Sequence, residues 1–255
     1  ASIAVVGGGY VGLPLALLLS KKNFKTLIID IDKNKVSSLN NKISYINHIA
    51  DKSITSAIKK GLKASYSFKD IKNVDIIIIC VPTPIKENKD PELKYLIKTL
   101  ESSKPFFKKN QTLILESTTY PGTTNEVIVP FISNAGFKVG EDFFIGYSPE
   151  REDPGNNEYK SSDIPKIVSG VTKECFHITQ LLYKKIYKKT VSVSSPEIAE
   201  MTKILENVYR AVNISLINEM KIIADKMNLN ILEAIEAAST KPFGFTPYYP
   251  GPGLG

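Results

Sequence analysis

A chain of 255 residues that is 42% hydrophobic and 23% charged has globular usage and length for one large core, which excludes a disordered, fibrous or disulfide-stapled class. The formal charge of +7 comes from lysines spread in short pairs such as Lys21-Lys22, Lys59-Lys60 and Lys184-Lys185; without interleaved aromatics they read as solvated surface, and no nucleic acid is expected. Two cysteines, Cys80 and Cys175, and two histidines, His48 and His177, stand at no ligand spacing, so no metal is expected and the thiols read as reduced, structural and cytoplasmic.

In chain order, the first 120 residues alternate short β-branched runs with helical patterns, the order of parallel βαβ units. Strands are predicted at 2–6, 25–30, 63–67 and 74–81, the last (VDIIIICV) apolar throughout, as a strand covered on both faces must be. A helix at 10–22 carries Pro14 in its first turn, where the missing N–H costs nothing. Its apolar run at 11–19 follows a glycine turn, lacks a basic segment before it and is too short to span a bilayer, so neither a leader nor a membrane segment is expected. Further helices are predicted at 93–100, 123–133 and 172–187, and strands at 112–116, 143–145, 166–169 and 190–193, giving roughly eight strands.

From Pro196 the pattern changes. Ile198, Met201, Leu205, Val208, Val212, Leu216, Met220 and Ile223 recur at three- and four-residue steps, which predicts one helix to about residue 228, near 45 Å at ~1.5 Å per residue. Ser195 is its expected N-cap, with proline at the first helical position. So long an apolar stripe predicts a homodimer built on this helix. A short helix at 231–238 precedes KPFGFTPYYPGPGLG, whose four aromatics argue against a disordered tail although its prolines and glycines forbid regular structure.

Val6-Gly7-Gly8-Gly9-Tyr10-Val11-Gly12 holds a G-x-G-x-x-G between a strand and a helix, the setting in which that pattern signals a dinucleotide. Gly7 makes the turn, Gly9 admits a pyrophosphate, and Gly12 lets the helix approach the strand; the helix N-terminus offers N–H groups to phosphates. Asp30, ending the second strand, suits a ribose diol and would repel a 2′-phosphate, which favours NAD over NADP. Alternatives are a tight turn without ligand, with Asp30 capping a helix that starts near Lys33, or Asp32 as the ribose acid. The fold class is therefore α/β: a Rossmann-like, doubly wound, mostly parallel sheet over residues 1–195, followed by a long-helix α domain over 196–255. Val81-Pro82-Thr83-Pro84 and Glu116-Ser117-Thr118 follow strands at the carboxyl edge, where such sheets bind ligands. Gly7, Gly9, Tyr10, Val11, Gly12, Asp30, Val81, Pro82, Thr83 and Thr118 are the candidate cofactor contacts.

The runs AVVGGGYVGLPLALLL, VPTP, ESTTYPGT, YSPEREDPGN, EMTKILENVYRAVN and FGFTPYYPGPGLG resemble, in that order and over essentially the whole chain, the UDP-glucose/GDP-mannose dehydrogenase family, most of all its UDP-N-acetylglucosamine 6-dehydrogenase branch. The resemblance implies oxidation of the C6 alcohol of a UDP-sugar to a uronic acid, for surface polysaccharide precursors. Two hydrides pass to two NAD molecules through an aldehyde and a cysteine thioester. Carried over by position, Thr118 and Glu150 position and activate the hydrolytic water, and Lys203 and Asn207, four residues apart on one helix face, stabilise an oxyanion. Arg151 and Arg210 join Glu150, Lys203 and Asn207 as substrate-binding candidates.

Two departures stand out. Pro154 occupies the position of a second glutamate, whose role falls to Glu152 or to nothing, and the G-G-x-C motif that carries the family's thiol and the UDP-binding C-terminal domain would follow Gly255. On that reading the 255 residues alone are inactive. A β-hydroxyacid dehydrogenase, with its long helix bearing Lys-x-x-x-Asn, is the competing enzyme class, and a non-catalytic NAD-binding module the competing non-enzyme.

Overall fold

A computed structural model describes residues 1–87, 90–151 and 163–252, which form two compact units, Ala1–Met201 and Thr202–Gly255. The first unit is built on β1 (Ser2–Val6), β2 (Lys25–Ile29), β3 (Lys63–Ser65), β4 (Ile76–Ile79), β5 (Gln111–Leu115), β6 (Phe143–Tyr147), β7 (Lys166–Gly170) and β8 (Thr190–Ser192). They form one sheet in the order β3-β2-β1-β4-β5-β6-β7-β8. Every neighbouring pair is parallel except β6–β7. The sheet is Rossmann-like and mostly parallel, and the direction of winding reverses beside β1, where β2 lies on one side and β4 on the other.

Side chains alternate across a strand, so a doubly covered sheet makes two cores. Ile3, Val5, Ile28, Ile76, Ile78 and Ile114 pack on one face with Leu13, Ala16 and Leu19 of α1 (Gly12–Lys21) and Ile54 and Ala57 of α3 (Asp51–Lys59). Leu182, Tyr183 and Ile186 of α6 (Lys173–Ile186) close the same face. Ala4, Val6, Ile29, Ile77, Ile79, Leu113 and Leu115 pack on the other with Leu96 and Leu100 of α4 (Lys94–Ser103) and Ile132 of α5 (Val129–Asn134).

Most predicted elements occur with ends moved by a few residues. Of α2 (Lys33–Asn40) the sequence showed only a start near Lys33, and of α3 nothing, because each presents only two buried residues to the core, too few to write a period. The helix predicted at 123–133 is instead a π-helical turn, Thr124–Ile128, running into α5. The Val129 N–H reaches back five residues to the Thr124 carbonyl, beside Pro130, which has no N–H to give.

Glu200, in the first turns of α7 (Pro196–Lys226), is fully buried. Its Oε2 accepts from the Gly122 N–H at 2.6 Å, and its Oε1 from the Thr124 N–H at 2.9 Å and the Thr124 hydroxyl at 2.7 Å. One carboxylate thus satisfies the donors opening the π-helical turn. Ser195 caps α7 through the Ile198 N–H at 3.4 Å.

In the second unit α7 continues, followed by α8 (Ile231–Ser239), whose N-cap is Asn230. Residues 241–252 of the aromatic tail form neither helix nor strand. Tyr248 lies edge-on to Tyr209 with ring centroids 6.0 Å apart, and Asn218 exchanges two hydrogen bonds with the Gly251 backbone, at 2.9 and 3.1 Å. Leu205, Val208, Val212, Leu216, Met220 and Ile223 form the stripe read in the sequence, and all are exposed in the chain by itself. Among the described residues no helix is long and apolar enough to cross a membrane.

Glu200→Ala leaves the Gly122 and Thr124 donors buried without an acceptor. It is expected to cost about 2–3 kcal/mol, read as a melting temperature lower by roughly 4–12 °C with the far-ultraviolet spectrum unchanged; an unaltered melting temperature would contradict the anchoring role.

Candidate active site

The turn after β1 owes its shape to three glycines that differ in what surrounds them. Gly7 has φ +100°, and a Cβ there would lie 2.6 Å from the Cys80 carbonyl oxygen. A Cβ on Gly12 would lie 1.8 Å from the Gly7 carbonyl oxygen. At Gly9 the same atom would meet nothing within 4 Å. Helix, turn and β4 are therefore pressed together at two points and open at the third, the cradle that a pyrophosphate needs. No side chain caps the N-terminus of α1 and no acid lies in its first turn, so its dipole faces that opening uncompensated.

Gly8 is held from both sides: its N–H donates to Asp30 Oδ2 at 2.7 Å, and its carbonyl accepts from the Tyr45 hydroxyl at 2.6 Å. Burial and the Asp30 charge push the Tyr45 phenol well up. Asp30 is buried at the end of β2, and its Oδ1 accepts from the Asp32 N–H at 2.9 Å. The cap of α2 belongs to Asp32, which accepts from Asn34 and Lys35 N–H at 2.9 and 3.4 Å. The capping alternative for Asp30 is thereby removed. Each Asp30 oxygen accepts one hydrogen bond, and a carboxylate has about four acceptor sites, so a diol can still be received. Lys35 Nζ stands 3.8 Å from Asp30 Oδ2. Exposed Tyr10, on the turn, stacks on His48 at 6.2 Å between centroids, and Val11 packs against the core.

The loops after β4 and β5 are stitched together by main-chain acceptors. The Thr83 hydroxyl donates to the Thr118 carbonyl, the Ser117 hydroxyl to the Val81 carbonyl at 2.7 Å, and the Tyr147 hydroxyl to the Ser117 carbonyl at 3.3 Å. Because β1, β4, β5 and β6 are parallel, the glycine turn, Val81-Pro82-Thr83, Thr118 and Glu150 all lie on one edge of the sheet.

Behind Glu150 stands a group with no counterpart in the sequence reading. Lys166, the first residue of β7, is 2% exposed, and its Nζ lies 2.8 Å from Glu116 Oε2 and 2.8 Å from Glu150 Oε2. The other Glu116 oxygen accepts from the Tyr183 hydroxyl. The Tyr183 and Tyr187 rings face the ammonium at 5.5 and 5.4 Å. Burial opposes the charge on Lys166, but the two carboxylates outweigh it and hold the ammonium's proton affinity well above the ordinary lysine range. The expectation that the lysines are solvated fails here. The clue was a lysine heading the run KIVSG, all of which is buried.

Glu150 Oε1 accepts from the Arg151 N–H at 2.7 Å, and the Arg151 guanidinium donates to the Pro165 carbonyl at 2.9 Å. Glu152, Asp153, Pro154 and Gly155 lie outside the described residues. Lys203, Asn207 and Arg210 belong to the second unit, where Arg210 donates to Asn207 Oδ1 at 3.1 Å. Cys80 and Cys175 are both buried. Burial first, then the Glu116 charge, raises the Cys80 thiol well above its usual range, and Cys175 Sγ accepts from the Ile145 N–H at 3.2 Å. Neither is a ready nucleophile.

Residues 1–191 match the UDP-glucose/GDP-mannose dehydrogenase family, NAD binding domain, and residues 197–255 match the same family's central domain. The UDP-N-acetyl-D-glucosamine 6-dehydrogenase of Pseudomonas aeruginosa is 39% identical over 98% of this chain and 58% of its own length. The enzyme of the same name from Salmonella typhi is 35% identical over the same shares, 98% and 58%. The solved structure of the UDP-N-acetyl-mannosamine dehydrogenase of Pyrococcus horikoshii superposes with a TM-score of 0.92 at 31% identity, over 98% of this chain and 60% of its own. The chain thus spans about 58% of the length of the curated relatives it matches.

With Asp30 on the glycine turn, the protein is expected to bind NAD at least roughly tenfold more tightly than NADP, a difference of about 1.4 kcal/mol. Asp30→Ala should narrow that gap, since it removes the carboxylate and leaves Lys35 unopposed. Calorimetric titration checks both; equal affinities for the unaltered protein would refute the assignment.

Proposed function

The chain belongs to the UDP-glucose/GDP-mannose dehydrogenase family, and from that membership we propose that the full-length protein oxidises the C6 alcohol of UDP-N-acetylglucosamine to the uronic acid in two NAD-dependent steps. One observation carries the reading: the open glycine turn, the Thr83–Thr118 stitch and Glu150 share one edge of one sheet, so a dinucleotide and a reacting carbon have a common side to meet on. NAD, when bound, accepts the hydride.

The chain's own residues bind, orient and move protons. Gly9 and the α1 N-terminus receive the diphosphate, and Asp30 the ribose. Val81, Pro82 and Thr83 line the cofactor's path. Thr118 and Glu150 hold and activate the water that releases the product from a cysteine thioester. Lys203 and Asn207 stabilise the alkoxide formed when that thiol adds to the aldehyde, because an ammonium and an amide donor act most strongly where water is excluded. The Asn207 carbonyl is already engaged by Arg210, which leaves its NH2 end as the donor. Arg151 and Arg210 are assigned to the substrate. The thiol is neither Cys80 nor Cys175, both buried, but the cysteine of the G-G-x-C motif, which the family pattern puts after Gly255.

The acetamido preference draws support from the relatives named for UDP-N-acetylglucosamine and from the polar run after Glu150. A site built to pair an amide rejects a sugar lacking it, because its polar groups are left without partners. kcat/KM for UDP-N-acetylglucosamine is expected to exceed that for UDP-glucose by at least roughly tenfold, with Lys203→Ala losing most turnover on either; a value for UDP-glucose equal or higher refutes the preference.

Two protomers are proposed to pair along α7. The exposed stripe from Leu205 to Ile223 supports this, since an apolar face of that length is costly to leave in water. Sedimentation is expected to give a dimer at micromolar concentration, weakened by Val212→Glu; a monomer at every concentration tried would remove the idea.

A further inference from the structure

Lys166 is an unusual residue for the interior of a sheet. Taking an ammonium and two carboxylates out of water costs several kcal/mol per ion, and well-packed apolar residues in place of such a set commonly leave a protein as stable or more so. Stability alone therefore does not account for it. The two carboxylates are not equivalent. Glu116 is wholly buried, with one oxygen on Lys166 and the other on Tyr183. Glu150 stands at the rim, its side chain 16% exposed, with Oε2 on Lys166 and Oε1 on the Arg151 N–H. The deep carboxylate and the two tyrosine rings hold the ammonium still, and the ammonium holds the outer carboxylate.

We propose that Lys166 is a positioning residue for Glu150: backed by Glu116 and Tyr183, it keeps the Glu150 carboxylate charged and in one orientation for the water-activating step. The inference rests on the function proposed above. In that step Glu150 takes a proton from water and the water oxygen bonds to the thioester carbonyl carbon. The carbon–sulfur bond breaks with its electron pair leaving on sulfur, and Glu150 then returns the proton to solvent. Lys166 exchanges no proton. Its ammonium, 2.8 Å away, favours the charged form of a carboxylate, and its place on β7 ties the loop after β6 to the end of β5.

Among the described residues, the charged and titratable groups around Glu150 come from several elements. Lys166 faces it from β7, Glu116 from the end of β5, and Arg151 is its own neighbour. Tyr183 and Tyr187 come from α6 and its C-terminus, at van der Waals range of Lys166 rather than of open water. Cys80, at the end of β4, senses Glu150 as well, but its thiol is neutral at working pH. Among the described residues Lys166 and Arg151 are the cations of the set, and Lys166 lies in ion-pair contact with Glu150 at 2.8 Å.

The test uses the full-length enzyme with NAD and UDP-N-acetylglucosamine. Lys166→Met removes the charge but strands two carboxylates, so it is paired with Lys166→Met/Glu116→Gln, which restores the cluster's net charge and keeps Glu150. In whichever of them folds, the first-turnover burst of two NADH per site is expected to persist. Steady-state turnover should fall about tenfold or more, a covalent sugar adduct should accumulate in the intact mass spectrum, and the acid limb of kcat should move up by about 1 pH unit or more. Lys166→Arg should recover most of the turnover and return the limb towards its place. A burst and a steady rate that fall together, or an unmoved acid limb, would overturn the proposal. Failure of the double variant to fold overturns it too, since the cluster would then hold the fold rather than the carboxylate. A wild-type enzyme that oxidises no nucleotide sugar refutes the underlying function, and this inference with it.

Discussion

Three backbone segments meet at Gly7 without room for a side chain on either glycine. The Gly7 Cβ position is taken by the Cys80 carbonyl, and the Gly12 position by the Gly7 carbonyl. This double contact sets how closely α1 lies on the sheet, and so where its N-terminus points. It also fixes the spacing between the ends of β1 and β4, from which the neighbouring loops are hung. Gly9 stays open because the two flanking glycines have absorbed the crowding. A methyl group at Gly12 would push the helix outward and break the core formed by Leu13, Ala16 and Leu19, so binding and folding depend here on the same atoms.

The edge of the sheet beyond that turn is held by polar contacts rather than by apolar packing. Hydroxyls of Thr83, Ser117 and Tyr147 satisfy carbonyls that strand ends leave without partners. Glu200 performs the matching service for N–H donors near Gly122. Lys166 goes further and joins two loops through charge. Apolar residues would fill the same volume, but they specify no orientation, whereas an ammonium between two carboxylates has one good geometry. A site that must aim a carboxylate gains from that, at some cost in stability.

Legibility in the sequence followed the period of the signal. Ile76–Ile79 declared a doubly covered strand by being apolar throughout, and the strand–glycine–helix order at Gly7–Gly12 declared the dinucleotide turn. The α7 stripe was legible because eight apolar residues kept step over 31 residues of helix. α2 showed no more than its start near Lys33, since Val36 and Leu39 are its only buried positions. The sequence favoured Asp30 over Asp32 because Asp30 ends the second strand; in three dimensions Asp32 caps α2 and Asp30 accepts from the Gly8 N–H.

The sequence by itself determined the alternation of strands and helices, the glycine turn and its acid, the long helix and the family resemblance, because each is written in residues close together along the chain. Only the tertiary structure decided that Lys166 lies between Glu116 and Glu150, that Tyr183 backs Glu116, and that Glu200 closes the turn at Gly122. Those partners are separated by 50, 16, 67 and 78 residues. A charge pattern along the chain carries no record of such distances, since pairing across strands depends on sheet order and register, and these emerge when the whole sheet packs.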